Sequence, residues 1–295
     1  MIIGQLISLG TAFFWTFTAI GFEGAGKRVG SLSVNIIRLV LGMILLTLTV
    51  LITTGSFFPV GVGQYGWNML LISGLVGLMI GDLFLFQAFV DLGARLSLLI
   101  YCSVPIMTSV LGYFIFDEIF DYITILGIAI TLSAISVVIL SRRTKSKKFE
   151  KHILKGIIFA TIGAIAQSVG LVLSKLGMGE TLGAFEATQI RVIAGLFGFI
   201  LYITLRKKWK EIFSAVKDKV AMKYILVGSI FGPFLGVASS LLAMRYANIG
   251  VTTTIAQLNV ILIIPFSVLI FKDKVNKIEI IASIFAFIGV ALLFI

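Results

Sequence analysis

The stretch SRRTKSKKFEK, residues 141–151, is polar and basic and divides two apolar halves of nearly equal length. Sliding the chain by 153 residues lays Gly10, Arg38 and Gly42 onto Gly163, Arg191 and Gly195. Beyond the next loop the shift becomes 155 and lays Gly77, Gly81, Ala88 and Phe116 onto Gly232, Gly236, Ala243 and Phe271. The two-residue change falls in a loop, where insertions are tolerated. Two constant shifts, across apolar segments of the same number and order, mark an internal duplication. The chain reads as a first repeat, residues 1–140, a basic connector, 141–152, and a second repeat, 153–295.

With 59% hydrophobic and 13% charged residues and a mean hydropathy of +1.13, this chain carries more apolar surface than a soluble domain of 295 residues hides in its core. It belongs in a bilayer. The net charge of +11 comes mostly from Lys and Arg between apolar runs, a pattern that reports orientation and not a nucleic-acid partner. One cysteine, Cys102, and one histidine, His152, offer neither a disulfide framework nor metal-ligand spacing, so no metal or cofactor is expected. Hydrolase, kinase, P-loop and zinc signatures are missing, which argues against an enzyme. Met1 is followed by an apolar segment with no basic leader, read as a first span and not as a cleaved signal.

A helix needs about 20 apolar residues to cross the hydrocarbon core. Ten segments qualify: Ile3–Phe22, Ser33–Ile52, Trp67–Val90, Leu96–Phe116, Tyr122–Leu140, Ile153–Leu173, Ala184–Leu205, Tyr224–Met244, Val251–Phe271 and Ile278–Ile295. The fold expected is an all-α integral membrane protein of ten transmembrane helices in two five-helix repeats. Five spans per repeat force the halves to enter the membrane from opposite sides, an inverted pair. The charges agree: no Lys or Arg precedes the first span, whereas Arg142, Arg143, Lys145, Lys147, Lys148 and Lys151 precede the sixth. Asp117, Glu118 and Asp121 follow the fourth span, and Lys272, Lys274 and Lys277 follow the ninth. By the positive-inside rule both termini face outward from the plasma (inner) membrane, with the connector in the cytoplasm. Trp209, Ile212, Phe213, Val216 and Val220 recur at helical spacing within a basic segment, predicting a short helix on the inner membrane surface.

Any site has to be sought among polar groups inside the membrane. Asp82 lies fifteen residues into the third span, and Val237 takes its place in the second repeat. A carboxyl at that depth is neutral, paired or facing water, which makes Asp82 the leading candidate for substrate binding and proton coupling. Arg38 and Arg191 occupy matching places in the second and seventh spans, close enough to the interface to snorkel to the headgroups. Glu186 opens the seventh span and is the second proton-coupling candidate. Trp15, Gln87, Tyr101, Gln167, Ser240, Gln257 and Asn259 complete the substrate-binding set, with Ser240 weakened because serine bonds back to its own helix. The Gly77/Gly81 and Gly232/Gly236 pairs have the spacing of helix-packing devices. Pro105 and Pro265 lie inside the fourth and ninth spans, where proline kinks a helix, but they do not coincide under the 155 shift.

IGDLFLFQAF in span three, GPFLGVASSLLAMRYANIGV in span eight and IPFSVLIFKDK closing span nine resemble the EamA-type transporters of the drug/metabolite transporter superfamily. Glu118 and Asp273 stand where such proteins usually carry an acidic residue, while Asn259-Val260 replaces a frequent Ser/Thr-Pro pair. The resemblance implies a secondary active transporter, commonly an exporter, of a small metabolite, amino acid or drug, working by alternating access with proton coupling as one mode. The alternatives are an uncoupled facilitator or exchanger, and a lipid-carrier translocase or membrane-embedded enzyme. Its partners would be a small-molecule substrate, membrane lipid and protons, in a monomer or homodimer.

Overall fold

A computed structural model of the protein describes residues 1–91, 97, 100–141, 153–271 and 277–294, and among them every regular element is a helix. Residues 142–152 of the connector, His152 among them, lie outside the described residues, as do Leu96, Lys272, Asp273, Lys274 and Ile295. The first half contains α1 (Ile2–Val29), α2 (Ser31–Thr54), α3, α4 (Ser103–Phe116) and α5 (Tyr122–Ser141). Helix α3 is composite: Gln64–Ser73, a π segment Gly74–Gly81, then Asp82–Asp91. The second half contains α6 (Ile153–Met178), α7 (Ala184–Leu205), the short α8 (Trp209–Val216), α9, α10 and α11 (Lys277–Leu292). Helix α9 is also composite, Lys219–Ser229, a π segment Ile230–Gly236 and Val237–Tyr246, and α10 consists of Ile249–Ala256 and Asn259–Phe271.

Seven of these helices are long and apolar enough to cross a bilayer. Three shorter apolar helices, Ser103–Phe116, Tyr122–Val137 and Ile280–Leu292, fall in the expected fourth, fifth and tenth segments. Helices are what such segments must form, because lipid offers the backbone no hydrogen-bond partner. The outer faces are apolar: Ile44, Leu48 and Ile52, four residues apart on α2, are 52%, 50% and 83% exposed. Polar residues point inward, and Thr131, Ser174, Thr188 and Thr254 are fully buried. Each returns its hydroxyl to the carbonyl four residues earlier, at 2.5–2.7 Å. This apolar-outside arrangement is that of a multi-pass membrane protein.

The two halves interlock. Helix α1 packs against α9 and α10, and its repeat mate α6 packs against α3 and α4. The mates α2 and α7 pack on each other, as do α5 and α11. Small residues permit this closeness. Gly163, Gly170 and Gly177, seven apart on α6, face α3, and a Cβ on Gly170 would sit 2.8 Å from the Gly77 Cα. A Cβ on Gly232 would come within 2.9 Å of the Thr18 methyl. Both glycines of the repeat-related pair therefore seat neighbouring helices.

Two irregularities recur in both halves. The π segments end at Gly81 and Gly236, which correspond under the 155 shift, and Asp82 follows the first of them directly. The second is a break in α-helical geometry, at Cys102 just before α4 and at Gln257–Leu258 inside α10. Cys102 and Gln257 also correspond under the 155 shift. Pro105 sits in the first turn of α4, where proline fits, and Pro265 sits inside Asn259–Phe271. The break at Cys102 lies within one turn before Pro105, which has no N–H to offer the Tyr101 carbonyl, whereas Pro265 lies beyond the break in its own helix.

A recess of about 1050 Å³ at one end of the bundle gathers the start of α1 (Met1, Gln5), the loop after α4 (Glu118), the end of α6 (Lys175, Met178) and the loop after α9 (Asn248). At another end Arg28, closing α1, pairs with Asp218 at 2.9 Å. Asp218 caps α9 by accepting from the Val220 and Ala221 N–H groups, both at 3.0 Å. The Ala221 bond and then Arg28 hold its carboxyl below the ordinary value of 3.8. The cap is thus complete above that pH and lost only as the medium falls below it. Beside it lies α8, with Ile212 and Ala215 buried against the bundle and Phe213 and Val216 exposed.

Candidate functional site

Arg38 and Asp82 form an ion pair between α2 and α3, with Arg38 Nη2 donating to Asp82 Oδ2. Arg38 Nε donates to Asn35 Oδ1 at 3.0 Å, one turn back on α2. The rings of Phe22 and Phe86 lie 5.4 and 5.7 Å from the guanidinium carbon, within cation–π range. Neither arginine snorkels. Arg38 is 4% exposed and Arg191 1%, because both point between helices and not along the lipid face. For Arg38 the loss of water is offset by the carboxylate, the amide oxygen and the two rings.

Arg191 has no such company. The α7 backbone at Arg191 lies directly against Gly74, where a Cβ would strike the Arg191 carbonyl oxygen. The side chain extends over the bare face of Gly77, with Nη2 3.3 Å from where a Cβ would be and Gln167 Oε1 3.6 Å from the same point. Asp82 is near enough to act on Arg191 electrostatically, yet Nε, Nη1 and Nη2 are all buried without a hydrogen-bond partner. Tyr101 lies within electrostatic reach of Asp82 and Arg38, and its backbone carbonyl accepts from Gln257 Nε2 at 3.5 Å. The two repeat-related helix breaks therefore touch each other beside the charges. Irregular backbone of this kind lines ligand sites in transporters.

The remaining candidates are placed elsewhere or are occupied locally. Gln87 Nε2 donates to Asp91 Oδ1 at 3.1 Å. Ser240 returns its hydroxyl to Gly236 O at 2.7 Å. Trp15 belongs to the apolar cluster around α1, α2 and α9. Glu186 folds back over Gly183 at the start of α7, where a carboxylate suits the helix dipole. Asn259 restarts α10 with its Oδ1 buried and unpartnered. No group of three or more His, Cys, Asp or Glu positioned to hold a metal occurs among the described residues.

At the recess, Glu118 is buried and pairs with Lys175, while both its oxygens accept from the Ile249 N–H at 3.0 and 2.9 Å. One carboxylate thus ties the end of α4 to α6 and to the first turn of α10.

The profile of the EamA-like transporter family matches residues 2–140 and again residues 154–295. The chain belongs to the EamA-like transporter family. It is 30% identical over 149 residues to an "Uncharacterized transporter" of Clostridium kluyveri. That match covers 48% of this chain and 44% of the relative, so the chain is matched over less than half of that protein's length. A solved crystal structure of another protein superposes with a TM-score of 0.78 at 16% identity, covering 99% of this chain and 96% of that one. At that identity the likeness concerns the fold.

In this EamA-family protein, the sequence placed Glu118 among the acids after the fourth span but did not show the Glu118–Lys175–Ile249 junction. One signal was available: Asp117, Glu118 and Asp121 put three acids directly after the fourth span. Sequence also treated Arg38 and Asp82 as separate candidates, although they form one unit.

Proposed function

We propose that the protein is a secondary transporter that carries a small metabolite, amino acid or drug across the plasma membrane by alternating access, in the outward direction. The observation that carries this reading is the cluster Arg38, Asp82, Arg191, Gln167 and Tyr101, held inside a lipid-facing bundle beside repeat-related breaks. Charge at such depth is retained for a route or a ligand. Ten spans in two inverted repeats, 1–140 and 153–295, frame the site. Support comes from the recess, where the start of α1 meets the end of its repeat mate α6, so that the two run in opposite directions. Both termini lie outside and the connector inside, on the strength of the loop charges.

Proton coupling in this scheme runs through Asp82, with Glu186 as the second carrier. The pairing of Asp82 with Arg38 favours one other reading, an uncoupled exchanger, because the carboxylate already serves a structural partner within the protein. Two measurements test the scheme. In a Cys102→Ala background, an impermeant thiol reagent should label Ile2→Cys, at an exposed position beside the recess, in intact cells and should reach His152→Cys only after permeabilisation; the reverse pattern overturns the orientation. In proteoliposomes an imposed pH gradient should drive accumulation, and exchange that ignores the gradient selects the exchanger.

A further inference from the structure

Arg38 and Arg191 are repeat mates, but only Arg38 makes an ion pair: Val237 stands where Asp82 would be in the second half. Arg191 is 1% exposed, and all three guanidinium nitrogens lack a hydrogen-bond partner. A buried charge without a partner is among the costliest features a protein can hold. We propose that the missing partner is the substrate, and that Arg191 binds a single carboxylate on it. The inference rests on the transport reading above and names the substrate class.

Two guanidinium groups and one carboxylate leave one positive charge in the cluster, so a monoanion neutralises it, while a dianion reverses the imbalance. A planar guanidinium matches the two coplanar oxygens of a carboxylate with parallel N–H bonds. Gly77 lets Nη2 lie close to the α3 backbone, 3.3 Å from where a Cβ would be, and Gln167 Oε1, 3.6 Å from the same point, can accept a hydroxyl or amide hydrogen from the rest of the ligand. A lipid phosphodiester is also monoanionic, but Arg191 is enclosed by α3, α6 and α7 and turned away from the lipid face.

The test uses the purified full-length protein in detergent, titrated with sodium formate and sodium acetate at constant ionic strength against sodium chloride. Both carboxylates should raise Tm saturably, acetamide should not, and Arg191→Met should abolish the rise. Arg191→Lys, which keeps the charge but loses the planar fork, should weaken it. Without ligand, Arg191→Met should itself have the higher Tm, because it removes an uncompensated charge, whereas a purely structural arginine would lower Tm when replaced. The proposal is overturned if the carboxylates do no more than chloride, if acetamide matches acetate, or if the rise survives in Arg191→Met. It is equally overturned if only phosphatidylglycerol in nanodiscs gives an Arg191-dependent rise. Alternating access is judged separately, by accessibility of the site from both faces, so either idea can fail alone.

Discussion

Asp82→Leu is expected to destabilise the folded protein by about 3–5 kcal/mol, because it leaves Arg38 buried without its carboxylate. The pair is enclosed, with side-chain exposures of 5% for Arg38 and 14% for Asp82, so little water can replace the lost partner. Asp82→Asn should fall at the lower end of that range, since an amide oxygen still accepts from the guanidinium. The decisive variant is the double one, Arg38→Met with Asp82→Leu. Removing both charges leaves apolar groups of similar volume, so the unfolding free energy should return to within about 1–2 kcal/mol of the wild type. Transport should nevertheless be lost in all three proteins. Recovery of stability without recovery of transport would separate the cluster's role as a site from its role in folding. A double variant no more stable than the single one would show that Phe22, Phe86 and Asn35, not Asp82, compensate Arg38.

Glu118→Ala should cost about 1.5–3 kcal/mol through the lost charge-assisted bond from the Ile249 N–H, with the uncovered Lys175 adding to it. Glu118→Gln should lose less, because an amide oxygen still caps the first turn of α10 while the ion pair disappears. The order Ala, Gln, wild type in rising Tm is the expected result. Equal Tm for Gln and Ala would assign the effect to Lys175 alone. The junction ties α4, α6 and α10 together at one end of the bundle, so both variants should increase labelling of Met178→Cys, a buried position beside it, by an impermeant thiol reagent in a Cys102→Ala background.

The repeat was legible because Gly, Arg and Ala positions recur at fixed spacing, and close helix packing and buried charge each demand a particular residue at a particular depth. Arg38, Asp82 and Arg191 could accordingly be named from sequence as the charged residues of the spans. Which arginine holds the carboxylate could not, because pairing depends on how α2, α3 and α7 are rotated about their axes. Rotation is set by contacts such as Gly74 against the Arg191 backbone, which no periodicity encodes. The break at Gln257 was hidden for a related reason. Sequence pointed to Pro265, the residue with the intrinsic kinking tendency, whereas the break follows the repeat position shared with Cys102. Gln87 and Ser240 were named for their polarity alone, and each finds a partner within its own helix.

Alternating access requires the Arg38–Asp82–Arg191 cluster to open in turn to each side of the membrane. Gln167, beside Arg191 at Gly77, is the place to test it. In a Cys102→Ala background, Gln167→Cys in right-side-out and inside-out vesicles is exposed to an impermeant thiol reagent, and the labelled fraction is followed over time. Labelling from both faces, slowed from both by the double Arg38→Met, Asp82→Leu replacement, is the predicted result. Labelling from one face only, or from neither, would contradict it.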